Sequence, residues 1–241
     1  MRAAINLAGG LLWFPLQALL ITRLLRGDWR KYPLIFAFVT AEFLVYAAQF
    51  PTVWAVSFHR TPDTLSWHAL FYQRGEVFLE FFTFVVVISL IFRATARLQS
   101  RNLMRAACVA GAFLLVGISY LVHYRPNITV GLWLTPWTRD LNVGTTILDL
   151  ALWSLLLAQR KGDERLLLLS GALGINFTGA AIGNSLRSEA TRLHPWPSAA
   201  GGMIVVAASL IQVYLWARAF RPAPQPAARR GFVLDVPSER G

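Results

Sequence analysis

Long apolar stretches recur along the chain, and within them polar residues return every three or four positions. A bilayer-spanning helix takes about 20 mostly apolar residues. Seven stretches qualify: residues 4–25, 33–57, 69–92, 104–123, 140–158, 166–187 and 197–217. Short polar loops separate them. No short fixed repeat is visible, and the two halves of the chain show no clear similarity. The pattern predicts an all-α fold: a seven-helix transmembrane bundle over residues 1–220, with a Pro- and Ala-rich tail over 221–241 expected to be disordered. The first stretch lacks a small-x-small cleavage site, so it is expected to be an uncleaved helix rather than a signal peptide.

The polar positions define faces. Helix 1 carries Asn6, Gly10, Trp13 and Gln17; helix 2 carries Glu42, Tyr46 and Gln49; helix 3 carries Gln73, Glu76, Glu80 and Thr83. Helix 5 carries Asn142, Thr145 and Asp149; helix 6 carries Asn176, Gly179, Gly183 and Arg187. Each set recurs at helical spacing and shares one face. Helix 4 has only Ser119, Tyr120 and His123 near one end and is expected to be peripheral.

Depth sharpens the pattern. Glu42, Glu80 and Asp149 lie nine to 11 residues into their segments. At 1.5 Å per residue that is about 13–17 Å, near the middle of a hydrocarbon core about 30 Å thick. Asn176 reaches a similar level. Most other polar residues lie on one side of it, and the opposite halves read ALLIT, PLIFAFVTA, FFTFVVVISLIF, LALWSLLLA and LLLLS. This predicts a polar cavity floored by carboxylates above an apolar plug. Hydrogen bonding between helices explains the amides and hydroxyls, at about 0.6 kcal/mol each. It explains the acids less well, because an ionised Asp at the helix centre costs about 2.5–3.5 kcal/mol. No Lys or Arg lies at their depth. The acids are expected to hold protons, with Glu80 and Asp149 sharing them, or to bind a cation.

Charge sets the orientation. Of 23 Lys and Arg, 16 fall in the loops after helices 1, 3 and 5 or in the tail, which puts the N-terminus outside and the C-terminus in the cytoplasm. This asymmetry accounts for most of the net charge of +11. Basic residues are not gathered into one domain, so no nucleic acid is expected as a partner. With 56% hydrophobic and 15% charged residues and a single cysteine, Cys108, neither disorder nor a disulfide scaffold fits. Trp29, Trp54, Trp67, Trp133, Trp137, Trp196 and Trp216 fall near segment ends, as an interfacial belt would. The stretch NITVGLWLTPWT is expected to lie along the outer interface, and its sequon Asn127-Ile128-Thr129 carries no weight. Arg93, Arg97, Arg101 and Arg105, four apart, would form a basic stripe facing lipid phosphates if helix 3 continued through them, but ordinary positive-inside charge is the favoured reading.

Several chemistries are excluded. A retinal protein needs an intramembrane lysine, and the only lysines, Lys31 and Lys161, are in loops. The histidine set of zinc-dependent seven-helix hydrolases is absent, as are the G-x-S-G and G-x-G-D protease motifs. His59, His68, His123 and His194 cluster towards the outer side without H-x-x-x-H spacing. No metal and no cofactor is expected, with His68 and His123 the weak candidates for a metal.

Residues 148–187 contain L-D-L…L-W followed by S-G-x-L-G-I…T-G-x-A-I-G-x-S-L-R, with Asp149, Trp153, Ser170, Gly171, Gly174, Thr178, Gly179, Gly183, Ser185 and Arg187. About a sixth of the chain therefore resembles a family of bacterial seven-helix membrane proteins of unknown function. The resemblance implies the topology and a multi-pass location in the bacterial inner membrane, but no activity. Relatives often carry a carboxylate where this chain has Ala180, which weakens any catalytic role for helix 6.

The expected function is binding or sensing of a small cationic or amphipathic ligand, or a lipid, in the outward-facing cavity. The contact residues would be Glu42, Tyr46, Gln49, Gln73, Glu76, Glu80, Asn142, Asp149 and Asn176. The alternative is a proton- or cation-coupled transporter; an intramembrane hydrolase is less favoured because no nucleophile is evident. The tail shows no output domain, so a sensor would act through a signalling partner. A helix–helix dimer is the other association to consider.

Overall fold

The computed structural model describes residues 2–58, 62–97, 101–124, 130–158, 163–190 and 195–221, with side chains from residue 9 onwards except at 56–58, 62–70, 97, 130–135, 187–190, 195 and 198. Seven α-helices follow one another: α1 (Arg2–Arg23), α2 (Pro33–Phe58), α3 (Pro62–Ala94), α4 (Arg101–His123), α5 (Val130–Ala158), α6 (Glu164–Ala190) and α7 (Pro195–Ala219). No strand occurs among the described residues. The protein is an all-α bundle that crosses the membrane several times. Six helices contain stretches long and apolar enough to span: Pro33–Ala55, Phe71–Ala94, Arg101–His123, Pro136–Ala158, Glu164–Leu186 and Ala199–Ala219.

Local chemistry marks the helix ends. α2, α3 and α7 each open on proline, whose missing N–H is one the first turn leaves unpaired anyway. Asp163 precedes α6 and accepts the Arg165 backbone N–H at 3.0 Å, an N-cap. Between α1 and α2 the chain turns through Gly27 at φ +149°, a conformation that disfavours any side chain.

Helix neighbours close a ring in the order α1, α2, α3, α5, α6, α7 and back to α1, while α4 packs outside against α3 and α5. α4 is peripheral, as expected: Leu103, Phe113 and Leu121 are 75%, 76% and 77% exposed and face the lipid. The apolar plug is real. Leu20, Phe38, Val87, Leu90, Leu156, Leu169 and Trp216 belong to one buried cluster at the end of the bundle rich in arginine.

Four expectations need correction. Helix α5 starts at Val130 rather than near residue 140, so most of the NITVGLWLTPWT stretch is helical and continuous with it. Pro136 lies within this helix, since a proline within a membrane helix can be tolerated when its neighbours re-satisfy the freed carbonyl. α3 begins at Pro62, well before the apolar stretch. At 33 residues it is about 50 Å long and exceeds the hydrocarbon thickness. The four arginines do not share a helix, since α3 stops at Ala94, a short 3-10 turn follows at Thr95–Arg97 and α4 starts at Arg101. Trp216 is not in the interfacial belt: it is 1% exposed and donates its indole N–H to the Leu169 carbonyl at 3.1 Å. Trp29, Trp54 and Trp196 are exposed as a belt requires, whereas the side chains of Trp67 and Trp133 lie outside the described residues.

Candidate functional site

Four helices contribute to one polar cluster. On α1, Gln17 is fully buried, and its amide nitrogen donates to Glu42 Oε2 at 2.8 Å and to the Val39 carbonyl at 3.2 Å on α2. One turn along α2, the Tyr46 ring meets Trp13 edge-to-face at 4.9 Å between centroids. Tyr46 lies within electrostatic reach of Glu42, Glu76, Tyr72 and Glu80. On the far side, Asn142 of α5 donates to Glu80 Oε1 at 3.1 Å. Gln49, 5% exposed, reaches across to α3 and donates to the Phe71 carbonyl at 3.4 Å. A Cβ on Gly75 would come within 2.4 Å of the Gln49 amide nitrogen, so glycine is what lets α2 and α3 approach here. Gln73 and Glu76, both partly exposed and both with partners of their own, lie on the same stretch of α3.

Acceptors outnumber donors in the cluster. Both N–H groups of Gln17 and an N–H of Asn142 are already given to acceptors. Gln17 Oε1 is buried with no partner among the described residues. Around it stand the carboxylates of Glu42 and Glu80, whose hydrogen-bond partners are amides, not Lys or Arg. What fits such a site is a group that donates, such as an ammonium.

The expected pairing of Glu80 with Asp149 is not formed. Asp149 is 3% exposed, turns from α5 towards α6 and takes the Ser170 hydroxyl on Oδ1 at 2.7 Å. Its other oxygen would lie 3.3 Å from a Cβ on Gly174, so glycine makes room for the carboxylate. The carboxyl that stands near Glu80 is Glu76, one turn away on the same helix. Equal depth on two helices therefore did not mean a common direction. Asn176 is separate again: its Oδ1 accepts from Ser209 of α7 at 3.2 Å. The nine expected site residues thus fall into one cluster and two interhelical contacts. Thr83 and Thr145 add no polarity, because each hydroxyl bonds the carbonyl four residues back on its own helix, at 2.8 and 2.7 Å.

Gln17 belongs to the cluster although the sequence reading left it out of the site; the signal was helix 1's own polar face. Asp140, which no polar face singled out, accepts from Ser119 at 2.7 Å and meets His123 Nε2 at 3.0 Å on the same oxygen. Ser, His and Asp together suggest a hydrolytic triad, but a triad needs histidine between the other two. Here the serine donates to the aspartate directly, so the histidine has no nucleophile to activate. Among the described residues no three His, Cys, Asp or Glu side chains gather into a metal site. His123 is engaged by Asp140, and the side chains of His68, Asn6 and Arg187 lie outside the described residues.

The arginine-rich end is organised differently. Arg165 pairs with Asp28 at 3.1 Å, tying α6 to the α1–α2 connection. Arg23 donates to the Ala217 carbonyl in the last turn of α7, where the helix dipole favours a cation. The Arg93 guanidinium stacks on Tyr32 at 4.3 Å, and Arg105 donates to the Phe92 carbonyl at 2.7 Å. Burial, and after it the Asp163 carboxylate, push the Tyr32 hydroxyl up from its ordinary value.

No protein-family model, curated protein or solved structure matches the chain. The fold class it defines is a multi-pass α-helical membrane bundle, and its functional reading rests on its own residues.

Proposed function

We propose that this protein binds or senses a small cationic or amphipathic ligand in the cluster formed by Gln17, Glu42, Tyr46, Glu76, Glu80 and Asn142. One observation carries the reading: inside the span the cluster holds more acceptors than donors, with Gln17 Oε1 buried and unpartnered among the described residues. Leaving an oxygen unsatisfied costs about 1–3 kcal/mol, and an ammonium would satisfy it together with the two carboxylates. Gln49 and Gln73 border the cluster. Asp149 and Asn176 are assigned to helix packing. The topology that goes with this reading has seven spans, the N-terminus outside and the C-terminus cytoplasmic. The membrane is the bacterial inner membrane, on the resemblance of residues 148–187. Transport is disfavoured because Leu20, Phe38, Leu90, Leu169 and Trp216 fill the opposite end, and transport needs a polar route on both sides. A hydrolase is disfavoured by the Ser119–Asp140–His123 geometry.

The test compares the purified wild type with a Glu42→Gln, Glu80→Gln double variant. Co-purified small molecules and lipids are identified by mass spectrometry. The amides keep size and hydrogen bonding but lose the charge. A cationic species retained by the wild type and depleted about tenfold in the variant is expected. Equal retention by both proteins would overturn the reading.

A further inference from the structure

A cavity lies at the other end of the bundle from the acidic cluster. It has a volume of about 360 Å³ and sits between the start of α2, the end of α3 and the start of α4. Small-molecule sites span about 300–1,000 Å³. Its floor is Tyr32 and Ile35, which are 7% and 1% exposed. Arg93, Arg105 and Ser89 line it as well, and Leu34 and Phe92 supply an apolar part of the wall. No carboxylate lines it among the described residues.

Three facts bear on what it holds. First, both guanidiniums keep donors in hand. Arg93 lies over an aromatic ring, and neither arginine pairs with a carboxylate among the described residues. Arg105 places one N–H on the Phe92 carbonyl from one terminal nitrogen, and its other terminal nitrogen has no acceptor among the described residues. A guanidinium has five N–H donors in a planar fork suited to phosphate oxygens. Second, the cavity is at span ends: Pro33 starts one span, Ala94 ends the next and Arg101 starts the third. This is the depth at which lipid phosphates lie. Third, the lining changes from cationic to apolar, with the Leu34 side chain 38% exposed beside the arginines. Basic pockets between membrane helices on the cytoplasmic side accept anionic headgroups.

We propose that this cavity is a binding site for a phosphate-bearing anion, supplied by the headgroup of an anionic phospholipid. Arg93 and Arg105 hold the phosphate, Ser89 donates a further hydrogen bond, and an acyl chain runs over Leu34. The site does not depend on the acidic cluster being a ligand site.

The test uses the full chain, delipidated in a neutral detergent and titrated by native mass spectrometry. The probes are dioctanoyl phosphatidylglycerol, dioctanoyl phosphatidylcholine and inorganic phosphate. Saturable binding of one phosphatidylglycerol, with phosphatidylcholine much weaker, is expected. Two variants are compared: Arg93→Gln with Arg105→Gln, and Ser89→Asp, which keeps both arginines and adds a negative charge to the wall. Each should weaken phosphatidylglycerol binding by about tenfold or more. Should the double variant fail to fold for want of the Arg105–Phe92 bond, Ser89→Asp decides alone. If inorganic phosphate competes at equal concentration, the anion site stands and its source is free phosphate rather than lipid. Equal affinity for the two lipids, or wild-type affinity in Ser89→Asp, would overturn the proposal.

Discussion

A hydroxyl in a membrane helix has two places to go, and the consequence of removing it depends on which one it takes. Ser170 gives its hydrogen to Asp149 on another helix, and both residues are almost wholly buried. Thr145, equally buried, gives its hydrogen to Leu141 on its own helix, an acceptor already used by the backbone. Ser170→Ala should therefore destabilise the purified protein by about 1 kcal/mol, within the range found for hydrogen bonds between membrane helices. Thr145→Val, which keeps the shape, should change it by less than about 0.5 kcal/mol. Reversible unfolding in detergent would measure both, and equal effects would mean that the Asp149–Ser170 bond contributes nothing. The polar residues that the sequence arranges on one face are thus not equivalent. Glu42 and Glu80 have amide partners inside the cluster, whereas Asp149 is satisfied by a neighbouring helix and takes no part in it.

Between elements, α6 and α7 pack closely along their length. Gly179 and Gly183 form a small-xxx-small face that permits it. A Cβ on Gly179 would come within 2.3 Å of the Ala208 Cβ, and one on Gly183 within 2.6 Å of the Gly201 carbonyl oxygen. This face is filled by α7 of the same chain, so it is not available for pairing two copies. Gly183→Val should force the helices apart and cost about 1–3 kcal/mol of stability. The control is Gly117 on α4, where a Cβ would meet nothing within 4 Å. Gly117→Ala should be neutral or stabilise by up to about 1 kcal/mol, because alanine is the better helix former. Thermal unfolding of the two variants beside the wild type checks the contrast.

Across the whole molecule, the bundle is packed at its arginine-rich end and polar further along. Phe84 and Leu90 are 3% and 0% exposed, whereas Gln73 and Glu76 lie only partly covered on the same helix. Single cysteines at these four positions, in a Cys108→Ala background, should react with an impermeant thiol reagent from outside only at Gln73 and Glu76. Equal reaction at all four would indicate an open pore and favour transport. The orientation is checked by a reporter active only outside the cytoplasm, fused after Arg221. It should be silent, because the positive charges gather on that side.

The sequence by itself determined the helices, the peripheral place of α4 and the apolar half of the bundle. These follow from composition and from a period near 3.6, which are properties of each segment taken alone. Which acid meets which partner was decided only by the tertiary structure. Two residues at one depth on neighbouring helices face each other or turn apart according to how each helix is rotated, and that rotation is set by packing. Asp149 turned to Ser170 because Gly174 left space there, and Glu80 was left to Asn142. The arginines at 93 and 105 show the same limit. Their spacing suggests one helical stripe, but the chain reverses after residue 94 and brings them from two helices to one cavity. Spacing along a sequence measures direction only while the helix continues, and where it stops, contacts between distant segments decide what meets.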